Sequence, residues 1–252
     1  MSQNIYDRPD FFQAYSEQID RSSNADLAID PAWTRLRPLL PDSVDGLDIL
    51  DLGCGSGWFC RWARDAGARS VLGIDISEKM LAKARGLTDG QYTAIEYLRA
   101  DLDSLQLPEE DTGKFDLVFS SLALHYLTNL SGLIALVNRV LKPGALFVFN
   151  VEHPIYTAPH NPRVINDPAT GEKCWAFNGY YKEGERVVDW LAPGVRKQHR
   201  TFTGYVSLFL GAGFDIVGFL EWLPTEEELL SGKVAEIEKL RPLFWTVSIR
   251  KR

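Results

Sequence analysis

Apolar positions in this chain follow two rhythms, and between residues 47 and 151 the two alternate. Runs at 47–52, 70–74, 95–100, 114–121 and 145–151 have the length and composition of strands. The fourth is apolar almost without a break, as a strand buried on both faces is. Between them, 58–64, 77–84 and 133–141 space their apolar residues as helices do. Ser77 caps the second of these, and Lys142-Pro143-Gly144 stops the third. Strands alternating with helices predict a parallel, doubly wound α/β sheet.

The flanks read less uniformly. Residues 10–20 are amphipathic, with Phe11, Phe12, Tyr15 and Ile19 on one face; a second helix runs through Trp33, Leu36 and Leu40, with Asn24 or Asp26 as its cap. From 152 to 200 the period is lost among five prolines and scattered aromatics, too aromatic for a disordered linker. A helix at 202–211, a sixth strand at 213–221, an acidic helix at 224–240 and a seventh strand at 244–250 close the chain. Four parts follow: leading helices (1–45), an α/β core (46–151), an insertion after the fifth strand (152–200), and a helix with strands completing the sheet (201–252).

Composition narrows the partners. With 45% apolar and 24% charged residues the chain is ordinary globular stock. A net charge of −7 argues against nucleic acid, whose phosphates need a basic face. Cys54, Cys60 and Cys174 are odd in number and lack metal spacing, which reads as free thiols in a reducing compartment. Residues 1–8 lack the apolar core of a signal peptide, and no apolar run reaches membrane-spanning length. The expectation is a cytoplasmic protein with no membrane partner and no metal.

The chemistry gathers where the first strand ends, at Asp51-Leu52-Gly53-Cys54-Gly55-Ser56-Gly57. Glycines at alternate positions admit positive φ and let a ligand lie against the backbone. The dinucleotide fingerprint is spaced differently and puts a pyrophosphate on the following helix. Here Asp51 precedes the glycines; a carboxylate would repel phosphate but suits an ammonium group. Asp75 ends the second strand, 18 residues past Gly57, near the spacing of an acidic ribose ligand. A carboxylate accepts both ribose hydroxyls as no neutral side chain does.

This motif resembles the first motif of the class I S-adenosylmethionine-dependent methyltransferases. Leu122-Ala123-Leu124-His125-Tyr126-Leu127 and Leu141-Lys142-Pro143-Gly144 are similar to later signatures of the family. The resemblance is specific over 47–151 and absent over 152–200. It implies a seven-stranded, Rossmann-like doubly wound sheet with an antiparallel last strand, and S-adenosylmethionine as cofactor. It also implies a cofactor site made of Asp51, Gly53, Gly55, Asp75, Ile76, Met80, Ser121 and the pair Asp101 and Leu102. Asp101 would meet the adenine amine and Leu102 the ring, with Asp103 as the alternative register. Tyr15 would line the pocket from the leading helices.

Methyl transfer from a sulfonium is an in-line displacement with an excellent leaving group, so the protein mainly positions the acceptor and excludes water. An oxygen or ring-nitrogen acceptor can need a base, for which His125, His153 and His199 are the candidates; His160, among prolines, reads as a loop residue. Tyr156, Tyr181, Trp190 and Arg200 are the expected acceptor contacts. The leading expectation is O- or N-methylation of a small planar molecule. A carboxylate acceptor clamped by Arg196 or Arg200 is the alternative, and a non-catalytic cofactor-binding protein is another. The fourth strand ends in Ser120-Ser121-Leu122-Ala123 rather than the Asn/Asp-Pro-Pro-aromatic that holds the amino group of a macromolecular substrate.

Overall fold

The computed structural model describes residues 3–20, 30–232 and 236–252. Along the chain run α1 (Pro9–Gln18), α2 (Pro31–Leu36), β1 (Asp48–Leu52), α3 (Trp58–Asp65), β2 (Ser70–Asp75), α4 (Glu78–Thr88) and β3 (Ile95–Arg99). Then come β4 (Phe115–Ser121), α5 (Leu130–Val140), β5 (Leu141–Glu152), α6 (Pro154–Thr157), β6 (Val164–Asn166) and β7 (Lys173–Trp175). The chain continues through β8 (Gly184–Trp190), β9 (Ala192–His199), α7 (Phe202–Gly211), β10 (Phe214–Glu221), α8 (Glu226–Leu230) and β11 (Phe244–Lys251). Among the described residues no helix is long and apolar enough to cross a membrane.

Seven strands form one sheet in the order β3-β2-β1-β4-β5-β11-β10. Its first five strands are mutually parallel, whereas β11 runs antiparallel to both neighbours, as expected of the last strand. Strand order reverses between β1 and β4, and their carboxyl ends open the crevice where such sheets bind ligands. The unbroken apolar runs have a direct cause. Leu50, Val118, Phe147 and Phe149 bury against α5 and α7, while their neighbours Ile49, Leu117, Phe119 and Val148 bury on the opposite face against α2 and α3. With both faces covered, the polar half of the usual alternation has no place.

Several elements depart from the sequence reading. Lys142-Pro143-Gly144 does end α5, but the stretch then bulges within β5: pairing steps from Phe115–Leu141 to Leu117–Leu146, and Gly144 takes φ +77°. Residues 224–240 hold two short helical pieces, Glu226–Leu230 and a 3-10 turn at Glu236–Leu240. Asn24 and Asp26 lie outside the described residues; the side chain of Asp30 caps α2, accepting from Ala32 N. Residues 152–200, without visible period, fold as α6 and two antiparallel hairpins, β6–β7 and β8–β9. The second hairpin packs against the N-terminal segment: Ala192 and Val195 bury with Ile5 and Phe11, joined by Tyr6, Tyr15, Tyr126 and Trp190.

Candidate active site

The glycine turn between β1 and α3 is held rigidly. Gly53 N–H and Cys54 N–H both donate to the carbonyl of Ile74, at 2.7 and 3.0 Å. Gly53 and Gly57 adopt φ +76° and +75°; a Cβ on Gly53 would lie 2.3 Å from Cβ of Ala123, and one on Gly57 2.2 Å from the Tyr97 hydroxyl. Both positive φ and close approach therefore require glycine here. Asp75, at the end of β2, accepts from Gly55 N (2.9 Å) and Ser77 N (2.8 Å). Burial pushes its carboxyl pKa above the usual range, against the pull of those donors.

Ser77 caps α4 by accepting from Met80 N and donates its own hydroxyl to Asp7 at 2.6 Å. Asp7 also accepts from Lys79 N at 3.1 Å, so the turn at Ile5–Asp7 docks on the start of α4. Burial works against the Asp7 carboxylate, but these hydrogen bonds outweigh it and hold its pKa below the usual range.

A cavity of about 370 Å³ lies at the carboxyl ends of the strands, roofed by the N-terminal segment and β8–β9. Its strand-end half brings together Gly53, Gly55, Asp75, Ile76, Met80, Asp101, Leu102 and Ser121, with Tyr15 contributed by α1. Asp103 reaches the wall as well, but its carboxylate is engaged by Thr128 and by Asn129 N. Among the described lining residues Asp75, Asp101, Asp103, Glu152 and Glu185 are acidic, and Arg196 supplies the one guanidinium or ammonium. That donor set is wrong for a pyrophosphate and right for a cationic ligand bearing a diol and an exocyclic amine. The residues present fit S-adenosylmethionine.

The other half is aromatic and contains a buried ion pair. His125, Tyr126, Tyr156 and Trp190 line it; His125, Tyr156 and Trp190 are among the candidates named from the sequence. Tyr6 joins them, its hydroxyl 3.4 Å from that of Tyr126. Glu152, at the end of β5, accepts a hydrogen bond from Lys197 of β9, and the Lys197 ammonium sits 4.9 Å from the centroid of the Trp190 ring. Glu152 is 8% exposed, yet its Oε2 has no hydrogen-bond partner. His125 is buried with Nδ1 unpartnered; burial, then Lys197 and Arg200, hold its pKa well below 6.5, so the ring is neutral.

The structure does not bring the remaining candidates to this wall. Asp51 is buried behind the turn, where burial raises its carboxyl pKa to about 7 and Cys60 Sγ donates to it at 3.2 Å. His153 has both ring nitrogens engaged: Nε2 lies 2.7 Å from Glu221, and Nδ1 accepts from Ile155 N as the cap of α6. His199 is likewise committed, to the Thr157 hydroxyl (2.8 Å) and the Tyr180 carbonyl (2.8 Å). Arg200 donates to the Leu127 carbonyl, and Tyr181 is 94% exposed. His153 and His199 thus have both ring nitrogens hydrogen-bonded within the protein, and neither lines the cavity. Glu152, Lys197, Tyr6 and Tyr126 were not foreseen. Only Glu152 carried a signal, being a carboxylate at a strand's carboxyl end like Asp75.

A seven-stranded sheet of this order, with acidic residues closing the ends of β2 and β5, defines a class I methyltransferase architecture. The sequence profile of the methyltransferase domain matches residues 50–149. A crystal structure of an S-adenosylmethionine-dependent methyltransferase from Mesorhizobium loti is 46% identical, with a TM-score of 0.81 over 89% of this chain and all of that one. A structure from Listeria monocytogenes is 34% identical, with a TM-score of 0.75 over 87% of this chain and 97% of that one. A malonyl-[acyl-carrier protein] O-methyltransferase of Pectobacterium atrosepticum is 36% identical over 46% of this chain, which spans 42% of that protein's length. The chain belongs to the S-adenosylmethionine-dependent methyltransferases, and S-adenosylmethionine is its cofactor.

Proposed function

We propose that the enzyme methylates an oxygen or nitrogen of a small, planar molecule bound at the aromatic end of the cavity. The observation that carries this reading is the continuity of one roofed cavity from Asp75 and Asp101 to Tyr126, Tyr156 and Trp190. A volume near 370 Å³ has room for small ligands and none for a folded partner. In this reading Asp75 receives the ribose hydroxyls, Asp101 the adenine amine, and Ile76, Met80 and Leu102 the adenine faces. S-adenosylmethionine supplies, when bound, a methyl group on a positively charged sulfur. The aromatic walls orient the acceptor and keep water out, which is most of what such a displacement needs. The neutral ring of His125, the one histidine on the wall, is placed to take the acceptor's proton.

Carboxylate methylation is the second reading. A malonyl thioester offers its carboxylate as the oxygen nucleophile, and Arg196 on the cavity wall could clamp such a group. Turnover of labelled S-adenosylmethionine against phenols, aryl amines, ring nitrogens and small carboxylic acids separates the two. The expected outcome is S-adenosylhomocysteine release with the first three groups only, and loss of that release in His125→Ala with cofactor binding kept. Because His125 is already neutral, the rate is expected to stay flat through pH 6.5. Release with the acids alone, or a rate that rises through pH 6.5, overturns this reading.

A further inference from the structure

We propose that Glu152 is the acceptor-recognition residue, its free carboxylate oxygen selecting acceptors that present an N–H or O–H donor beside the reacting atom. This rests on the methyl-transfer reading above and adds a substrate class to it. Oε1 of Glu152 is fixed by Lys197, which is itself buried and held over Trp190. The carboxylate therefore cannot turn to exchange its two oxygens without breaking a buried ion pair. Oε2 is buried and without a partner, on a residue that forms the cavity wall. A carboxylate oxygen removed from water and given no donor is costly, and a donor arriving through the cavity completes it. Lys197 is paired with the carboxylate and the charge of Arg241 also reaches it, so the corner has no net negative charge left to attract a cation and the recognition is of a hydrogen-bond donor. An acceptor carboxylate would bring Oε2 no donor and leave it unpartnered.

Glu152 also pins the β8–β9 hairpin to the sheet, and a pin alone would explain the ion pair. Glu152→Gln distinguishes the two roles. Lys197 continues to donate to Oε1, so the amide nitrogen takes the place of Oε2 and turns an acceptor into a donor at nearly constant volume. The experiment is calorimetric titration of wild-type, Glu152→Gln and Glu152→Gln/Lys197→Met proteins with S-adenosylhomocysteine. The saturated proteins are then titrated with catechol, benzene-1,2-diamine and benzoate. All three proteins are expected to bind S-adenosylhomocysteine, which shows that each variant is folded, and fragment affinities are compared on the saturated proteins. Catechol and the diamine should bind the wild type and lose about tenfold or more in Glu152→Gln, the scale of one hydrogen bond to a charged group. Benzoate should bind Glu152→Gln more tightly than the wild type. The double variant removes both charges together and should also lose the donor fragments, which keeps the test intact if the single variant misfolds. Equal fragment affinities in wild type and variants, preference of the wild type for benzoate, or no binding of either donor fragment overturns the proposal alone. Failure of the wild type to bind S-adenosylhomocysteine overturns the reading beneath it as well.

Discussion

At the scale of single residues, carboxylates in this chain separate by what they already hold. Asp75 accepts two backbone N–H groups as well as facing the cavity, so it has a structural role beside the ribose-binding role proposed for it. Asp75→Ala is therefore expected to weaken S-adenosylhomocysteine binding by about 1.5–3 kcal/mol and to lower folding stability by about 1–3 kcal/mol. Calorimetry and urea denaturation read the two separately; unchanged affinity in the variant would remove Asp75 from the ribose site. Asp51 illustrates the opposite case. Its place before the glycines was plain in the sequence, but burial behind the turn depends on where α3 puts Cys60, nine positions on. The carboxylate's type was legible and its exposure was not. His153 and His199 lie away from the cavity wall, and the sequence hid this for a related reason. His153 meets Glu221 across 68 positions and His199 meets Thr157 across 42, and no local spacing records those two contacts.

At the scale of elements, what the sequence revealed is what neighbouring residues determine. The alternation of β1 through β5 with α3, α4 and α5 follows from local apolar spacing, the Ser77 cap and the glycine turn, all within a few positions of each other. Hairpin β8–β9 was illegible because the contacts that seat it come from distant parts of the chain. Lys197 reaches Glu152, and Ala192 and Val195 close against Ile5 and Phe11. Among the remote contacts that hold the N-terminal cover is that of Asp7, which accepts from Ser77 Oγ and Lys79 N at the start of α4. Asp7→Ala leaves Ser77 Oγ and Lys79 N without that acceptor and is expected to cost about 1 kcal/mol, as caps do. Since Ile5, Tyr6 and Tyr15 roof the cavity, faster amide exchange across 3–18 and weaker S-adenosylhomocysteine binding should accompany it. The Asp7 pKa lies below its unfolded value, so its contribution is present above about pH 4 and fades as pH falls through the lower folded value. An Asp7→Ala protein whose exchange in 3–18 matches the wild type would show that the cover is held by other contacts.

At the scale of the whole molecule, the sheet and its two buried faces place the cofactor half, while chain segments from both sides of the core build the acceptor half. The strand ends of residues 47–151 were legible, and His125, Tyr156 and Trp190 were named at the aromatic end, but Tyr6, Tyr126, Glu152 and Lys197 were missed because they meet there only through contacts between separate stretches. The account's central claim is that both halves are one cavity, with the methyl donor pointing from the first into the second. A crystal structure of the S-adenosylhomocysteine complex tests this directly. The account predicts ribose hydroxyls on Asp75, the adenine amine on Asp101, and the thioether sulfur facing the space between His125, Glu152 and Trp190. An adenosyl group lying among Tyr126, Tyr156 and Trp190, or a sulfur directed away from Glu152 toward solvent, would contradict it.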